Sequence, residues 1–215
     1  MATPARTFRS ARARRRAEMV VTIAGALETM ADQGAEDGPP IDAMLDVAGI
    51  ARSTFYVHFE DKADLMLALA EHVWRELGRA GSALWEPSWP DDRAAVRRSI
   101  DTLDAAFRRL RGTLGVVVAA TVHDSGLRDA YRATIRPAID NVAGRIRDGQ
   151  ADGRIPAAID ADQTASWLVW AVERGLQELR DADGVADDAT LDALAGLIWN
   201  LLLAPTVDGG DDVAA

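Results

Sequence analysis

The stretch Ala48-Gly49-Ile50-Ala51-Arg52-Ser53-Thr54-Phe55-Tyr56-Val57-His58-Phe59-Glu60-Asp61-Lys62-Ala63-Asp64-Leu65 follows a short helical pattern over Ile41–Ala48 and contains a second over Arg52–His58. Two helices cross steeply within so short a turn only if one turn residue accepts a left-handed backbone, which Gly49 does without a Cβ clash. Met44, Ala48, Ile50, Phe55 and Phe59 are then expected to face inward. With Phe55 and Phe59 buried at i and i+4, Arg52, Ser53, Thr54, Tyr56 and Val57 remain on the outside of the second helix. This is the pattern of a helix-turn-helix. An arginine there can read guanine bidentately and Val57 can meet a thymine methyl, while Tyr56 and Lys62 suit phosphates.

Working outward toward the N-terminus, Met19, Val20, Ile23, Ala24, Leu27 and Met30 recur at three and four, which predicts an amphipathic helix from about Arg12 to Ala31, ended by Gly34. The net charge of the chain is -10, yet Arg6, Arg9, Arg12, Arg14, Arg15 and Arg16 all precede the first acidic residue, Glu18. A basic tip on an acidic body keeps a nucleic-acid footprint available, with Arg14 and Arg15 as candidates to follow phosphates or an adjacent groove. Basic residues before an apolar stretch also suggest a signal or transit peptide, but Glu18, Glu28 and Asp32 interrupt that pattern.

Toward the C-terminus, Asp61 is a candidate N-cap for a helix running to about Ala83, with Asp64 in its first turn. The Pro- and Trp-rich segment Trp85-Glu86-Pro87-Ser88-Trp89-Pro90 is a stiff connection. Further helices are expected near 91–111, 113–123, 126–150, 160–181 and 188–203, broken at Gly112, Ser125-Gly126, Gly153 to Pro156 and Gly184. The acidic, Gly-rich end 205–215 is expected to be disordered. The composition favours an all-α chain of about nine helices: a basic arm at 1–17, a three-helix helix-turn-helix domain at 18–66, and a helical ligand-binding and dimerisation bundle at 67–204.

Several classes fall away. The absence of cysteine excludes disulfide frameworks and cysteine nucleophiles and fits a cytoplasmic protein. The longest apolar run, Leu114 to Ala120, is about a third of a bilayer span, so no membrane partner is expected. Of the three histidines, His58, His72 and His123, none stands in a metal-ligand spacing, and His123-Asp124-Ser125 cannot form a triad among themselves. No catalytic residue, metal or cofactor is expected.

The central stretch resembles the DNA-binding domain of the TetR family, whose signature reads Ala-Gly-Val-Ser-x-x-Thr-x-Tyr-x-His-Phe-x-x-Lys-x-x-Leu, over roughly residues 15–75. The resemblance implies a dimeric repressor that meets double-stranded operator DNA through Arg52, Ser53, Thr54, Tyr56, His58 and Lys62. Three departures stand out: Ala51 replaces the usual serine cap, Leu45 a small residue, and Pro40 a serine or threonine. The segments Trp167 to Leu179 and Leu191 to Leu203 resemble the last two helices of these regulators. Glu173-Arg174 and the later Ile198-Trp199 are similar to the branch containing the mycobacterial repressor of ethionamide activation.

A small apolar effector is the partner expected for the C-terminal part, lined by Trp85, Trp89, Leu103, Phe107, Trp167, Trp170, Val172 and Trp199, because rigid aromatics line such cavities. The helices near 160–181 and 188–203 are apolar on more than one side, which predicts a homodimer through a four-helix seam with Gly175 and Gly196 allowing close approach. A helical protein-binding or small-molecule-binding module without operator function is the competing reading, and an enzyme the more distant one.

Overall fold

The computed structural model of the chain describes residues 4–34, 38–82, 84, 89–179 and 186–203. Among these it is all-helical, with nine α-helices: α1 (Pro4–Asp32), α2 (Ile41–Ala48), α3 (Arg52–His58), α4 (Lys62–Ser82), α5 (Arg93–Arg109), α6 (Arg111–His123), α7 (Ser125–Ala151), α8 (Ala161–Glu178) and α9 (Asp188–Ile198). A π-helical turn, Trp199–Leu203, continues α9. The expected disordered end, 205–215, and Trp85 lie outside the described residues.

The chain divides into two compact units, one of residues 1–80 and 103–136, the other of 81–102 and 137–215. Residue 66, where the sequence suggested a domain boundary, lies inside α4, and the first unit also takes in the end of α5, all of α6 and the start of α7.

In the first unit, α1 buries Val20, Ile23, Ala24 and Leu27, the stripe that the periodicity picks out. The helix starts earlier than expected, at Pro4 rather than near Arg12, and takes in the arginines from Arg6 to Arg16. Helices α1 and α6 approach closely at Gly112, where a Cβ would stand 2.6 Å from the Leu27 carbonyl oxygen. The sequence placed a break at Gly112, but the break falls two residues earlier, at Leu110, and Gly112 lies inside α6. Its lack of a side chain serves that close approach instead of a turn. The start of α6 is capped from another helix: the Glu28 carboxylate accepts from the Gly112 and Thr113 amides, both at 2.8 Å, and from the Thr113 hydroxyl at 2.7 Å. Arg111 adds a 2.6 Å ion pair to Asp32.

In the second unit, Arg97 on α5 pairs with Asp188 at 2.9 Å and Asp192 at 3.0 Å on α9, and with Asp101 on its own helix. Arg93 donates to the Asp192 carbonyl at 2.8 Å. Gly196, expected to let a second chain approach, faces this cluster: a Cβ there would stand 2.8 Å from the Arg93 guanidinium, so its space is used within the chain. The N-caps of α8 and α9 are Asp160, which accepts from the Gln163 amide, and Asp187, which accepts from the Thr190 amide.

Candidate nucleic-acid interface

Gly49 has φ 65° and ψ 30°, the left-handed conformation that ends α2, and its amide donates to the carbonyls of Asp46 and Leu45. Helix α3 then packs Phe55 into the core, with Phe59 just beyond its end; both rings are fully enclosed and stacked, with centroids 5.0 Å apart. Met44 is buried as expected, whereas Ala48 and Ile50 are only half-buried. Leu45 takes the remaining core place, so the departure at that position is a packing residue.

The opposite face of α3 exposes Arg52, Ser53, Thr54, Tyr56 and Val57. The Arg52 guanidinium donates to Asp42 on α2 at 2.9 Å and lies 5.8 Å from the Tyr56 ring centroid. His58 stands apart from this group: it is half-buried, and among the described residues its enclosed Nδ1 has no hydrogen-bond partner. Lys62 is also half-buried and donates to the Pro39 carbonyl at 2.9 Å, which leaves two of its N–H groups available. As the sequence suggests, neither α2 nor α3 has a side-chain N-cap, since Pro40 and Ala51 occupy those positions. Asp61 does cap α4, accepting from the Asp64 amide at 2.8 Å.

The arginines of α1 divide by role. Arg14 and Arg15 are exposed, Arg14 within 3.5 Å of Glu18. Arg12 donates to the Val57 carbonyl at 2.8 Å, and Arg16 to the His58 carbonyl at 2.7 Å, so two cations cap the C-terminus of α3. Arg16 also makes a bidentate pair with Asp64 at 2.7 and 2.9 Å and lies 4.4 Å from the Phe59 ring centroid. The hydrogen bonds from Arg16 hold the Asp64 carboxyl below its ordinary range, against the opposing effect of burial. Sequence reasoning grouped Arg16 with the basic segment, although its position four residues before Val20 on the buried stripe could have marked it as structural.

The residues expected around an effector are distributed over both units, Leu103 and Phe107 in the first and Trp89, Trp167, Trp170, Val172 and Trp199 in the second. Phe107 is buried, Trp89, Leu103, Trp170, Val172 and Trp199 are half-buried, and Trp167 is 74% exposed. None of them borders the open cleft of about 490 Å³ in the first unit, which Lys62, Met66, Ala119, His123 and Leu127 help to line. Among the described residues no cluster of three His, Asp or Glu could hold a metal, and no helix is long and apolar enough to cross a membrane.

No family model matches the sequence, and no curated protein matches it significantly. Solved structures do match. GusR of Salmonella enterica superposes with a TM-score of 0.65 at 18% identity, covering 86% of this chain and 95% of that one. A TetR-family transcriptional regulator from Agrobacterium tumefaciens gives a TM-score of 0.63 at 20% identity, over 88% of this chain and 100% of that one. The fold is that of the TetR-family regulators. Reduced NemR of Escherichia coli shares the TetR fold as well, with a TM-score of 0.64 at 14% identity over 87% of this chain and 99% of that one. At these identities the likeness concerns the path of the backbone through the TetR fold, and the side chains of α3 are this chain's own.

Proposed function

We propose that this chain is a cytoplasmic DNA-binding transcriptional regulator that places α3 in the major groove. The observation that carries the reading is the division of α3: Phe55 anchors one face while Arg52, Ser53, Thr54 and Tyr56 stand exposed on the other. A helix held by its aromatic back and capped at its far end by Arg12 and Arg16 presents that polar face in fixed register. The likeness to TetR-fold regulators agrees with it.

The functional unit in this reading is a homodimer. Trp167, the seventh residue of α8, and Leu179 just past its end, with Leu197 and Leu201 on α9 and its π turn, are large apolar side chains left exposed in the second unit. A two-fold axis through these helices sets two copies of α3 on a pseudopalindromic operator, with half-sites about one helical turn apart or somewhat more.

The regulator is further read as a repressor released by a small apolar effector held by the tryptophans of the second unit. Trp170 and Trp199 are half-buried, as aromatics that face a small-molecule site are. The placing of the chain in the branch of the ethionamide-activation repressor rests on Glu173-Arg174 and Trp199. Linkage requires that such an effector bind DNA-free protein more tightly than bound protein.

Selection of duplexes from a random library by the purified protein, followed by mobility shift, tests the DNA reading. The expected result is a pseudopalindromic consensus that loses one guanine in each half-site when selection is repeated with Arg52→Ala; recovery without sequence enrichment would sink it. Mass spectrometry of a copurified ligand, and its effect on operator affinity, tests the effector.

A further inference from the structure

Arg52 is the first residue of α3, and Asp42 lies in the first turn of α2. The Arg52 Nη1 donates to Asp42 Oδ2 at 2.9 Å, and both side chains are more than half exposed. Among the described residues Arg52 Nε and Nη2 have no hydrogen-bond partner, and the guanidinium is bordered by the Tyr56 ring. An exposed ion pair of this kind adds little to fold stability. What it does is restrict a long, rotamer-rich side chain to one orientation on an otherwise open face.

We propose that Asp42 is a specificity-determining positioning residue, which holds Arg52 so that its Nε–Nη2 edge reads a base while its charge is withheld from phosphates. The inference rests on the reading of α3 as the recognition helix. Bidentate contact to guanine O6 and N7 needs two parallel N–H donors, and with Nη1 occupied the Nε–Nη2 edge supplies them. A free arginine binds any phosphate within reach. Paired with a carboxylate it has no net charge, so its attraction to phosphates falls while directional donation to a base acceptor persists. Asp42 therefore lowers non-specific affinity and sharpens discrimination at one base pair.

Asp46, one turn further along the exposed side of α2, provides the control, since Asp46→Ala removes the same charge without touching Arg52. The dissociation constants for the selected duplex and for one changed only at the guanine lost in Arg52→Ala are measured at several salt concentrations. Thermal melting of each variant confirms that it is folded. Asp42→Ala is expected to lower the ratio of the two constants about tenfold, the size of one bidentate contact, and to steepen the salt dependence on the mismatched duplex by about one counterion. Asp46→Ala is expected to tighten both duplexes equally and leave the ratio unchanged. In an Arg52→Ala background, Asp42→Ala is expected to have no effect on the ratio. An unchanged ratio in Asp42→Ala, an equal loss in Asp46→Ala, or a loss that persists without Arg52 would each overturn the proposal. If the wild-type protein discriminates between no duplexes, the recognition-helix reading itself has failed, and a consensus that Asp42→Ala reads as well as wild type removes only the role of Asp42.

Discussion

Arg16 donates to the His58 carbonyl and, through both terminal nitrogens, to the Asp64 carboxylate, so one side chain of α1 joins the end of α3 to the start of α4. Both partners are about one-third exposed, which tempers the energy of the pair. Arg16→Ala is expected to lower unfolding free energy by about 1–2 kcal/mol in denaturant titration, since it also uncaps α3. The pair has a pH signature. The folded Asp64 carboxyl titrates below its ordinary value of 3.8, so its contribution is complete well above that value and is lost as the pH falls through the lower folded one. Melting curves between pH 6 and 3 should show a steeper acid loss for wild type than for Asp64→Asn; parallel curves would refute the coupling. Neither Arg16 nor Asp64 was legible as a structural pair, because their partnership spans two helices distant in sequence. The exposed face of α3 was legible, since it follows from the i, i+4 spacing of Phe55 and Phe59 alone.

Helix ends divide into those set locally and those set by a neighbour. Asp160 and Asp187 cap α8 and α9 from their own sequence, and Asp61 caps α4 in the same way. Helix α3 has Ala51 at its N-cap position and lacks such a cap. Ala51→Ser is expected to raise stability by about 1 kcal/mol, read as a higher melting temperature, because the exposed N-terminus gains an acceptor for an unpaired amide. Helix α6 takes its cap from Glu28 on α1, which no local pattern announces. Gly112→Ala is expected to destabilise by about 1–3 kcal/mol in chemical denaturation, because the added methyl meets the backbone carbonyl of Leu27 and backbone cannot rotate aside. A variant as stable as wild type would show that α1 and α6 part without cost.

The large apolar side chains exposed in the first unit are valines and Tyr56, whereas the second leaves Trp167, Leu179, Leu197 and Leu201 exposed on and around α8 and α9. Scattered exposed leucines are ordinary, whereas a tryptophan and three leucines on neighbouring helical segments match a subunit seam. Trp167→Glu combined with Leu197→Glu is expected to give a folded monomer in sedimentation equilibrium with weakened operator binding, because each half-site contact then acts alone. A dimer that survives both charges would place the seam elsewhere. The role of the basic segment also changes: Arg12 and Arg16 are structural, so phosphate contacts by this segment are tested with Arg14→Ala and Arg15→Ala.

Spacing within a single helix or turn is a local property, so the nine helices, the left-handed Gly49 and the buried back of α3 were all open to reading from the chain alone. Contacts between segments far apart in sequence are not encoded in any local period. Only the tertiary structure could show that Arg12 and Arg16 cap α3, that Glu28 caps α6, that Gly196 faces Arg93, and that Asp42 holds Arg52. Each of these depends on where a charged side chain of one helix meets a backbone group or a partner on another, and that meeting is set by the packing of the helices together.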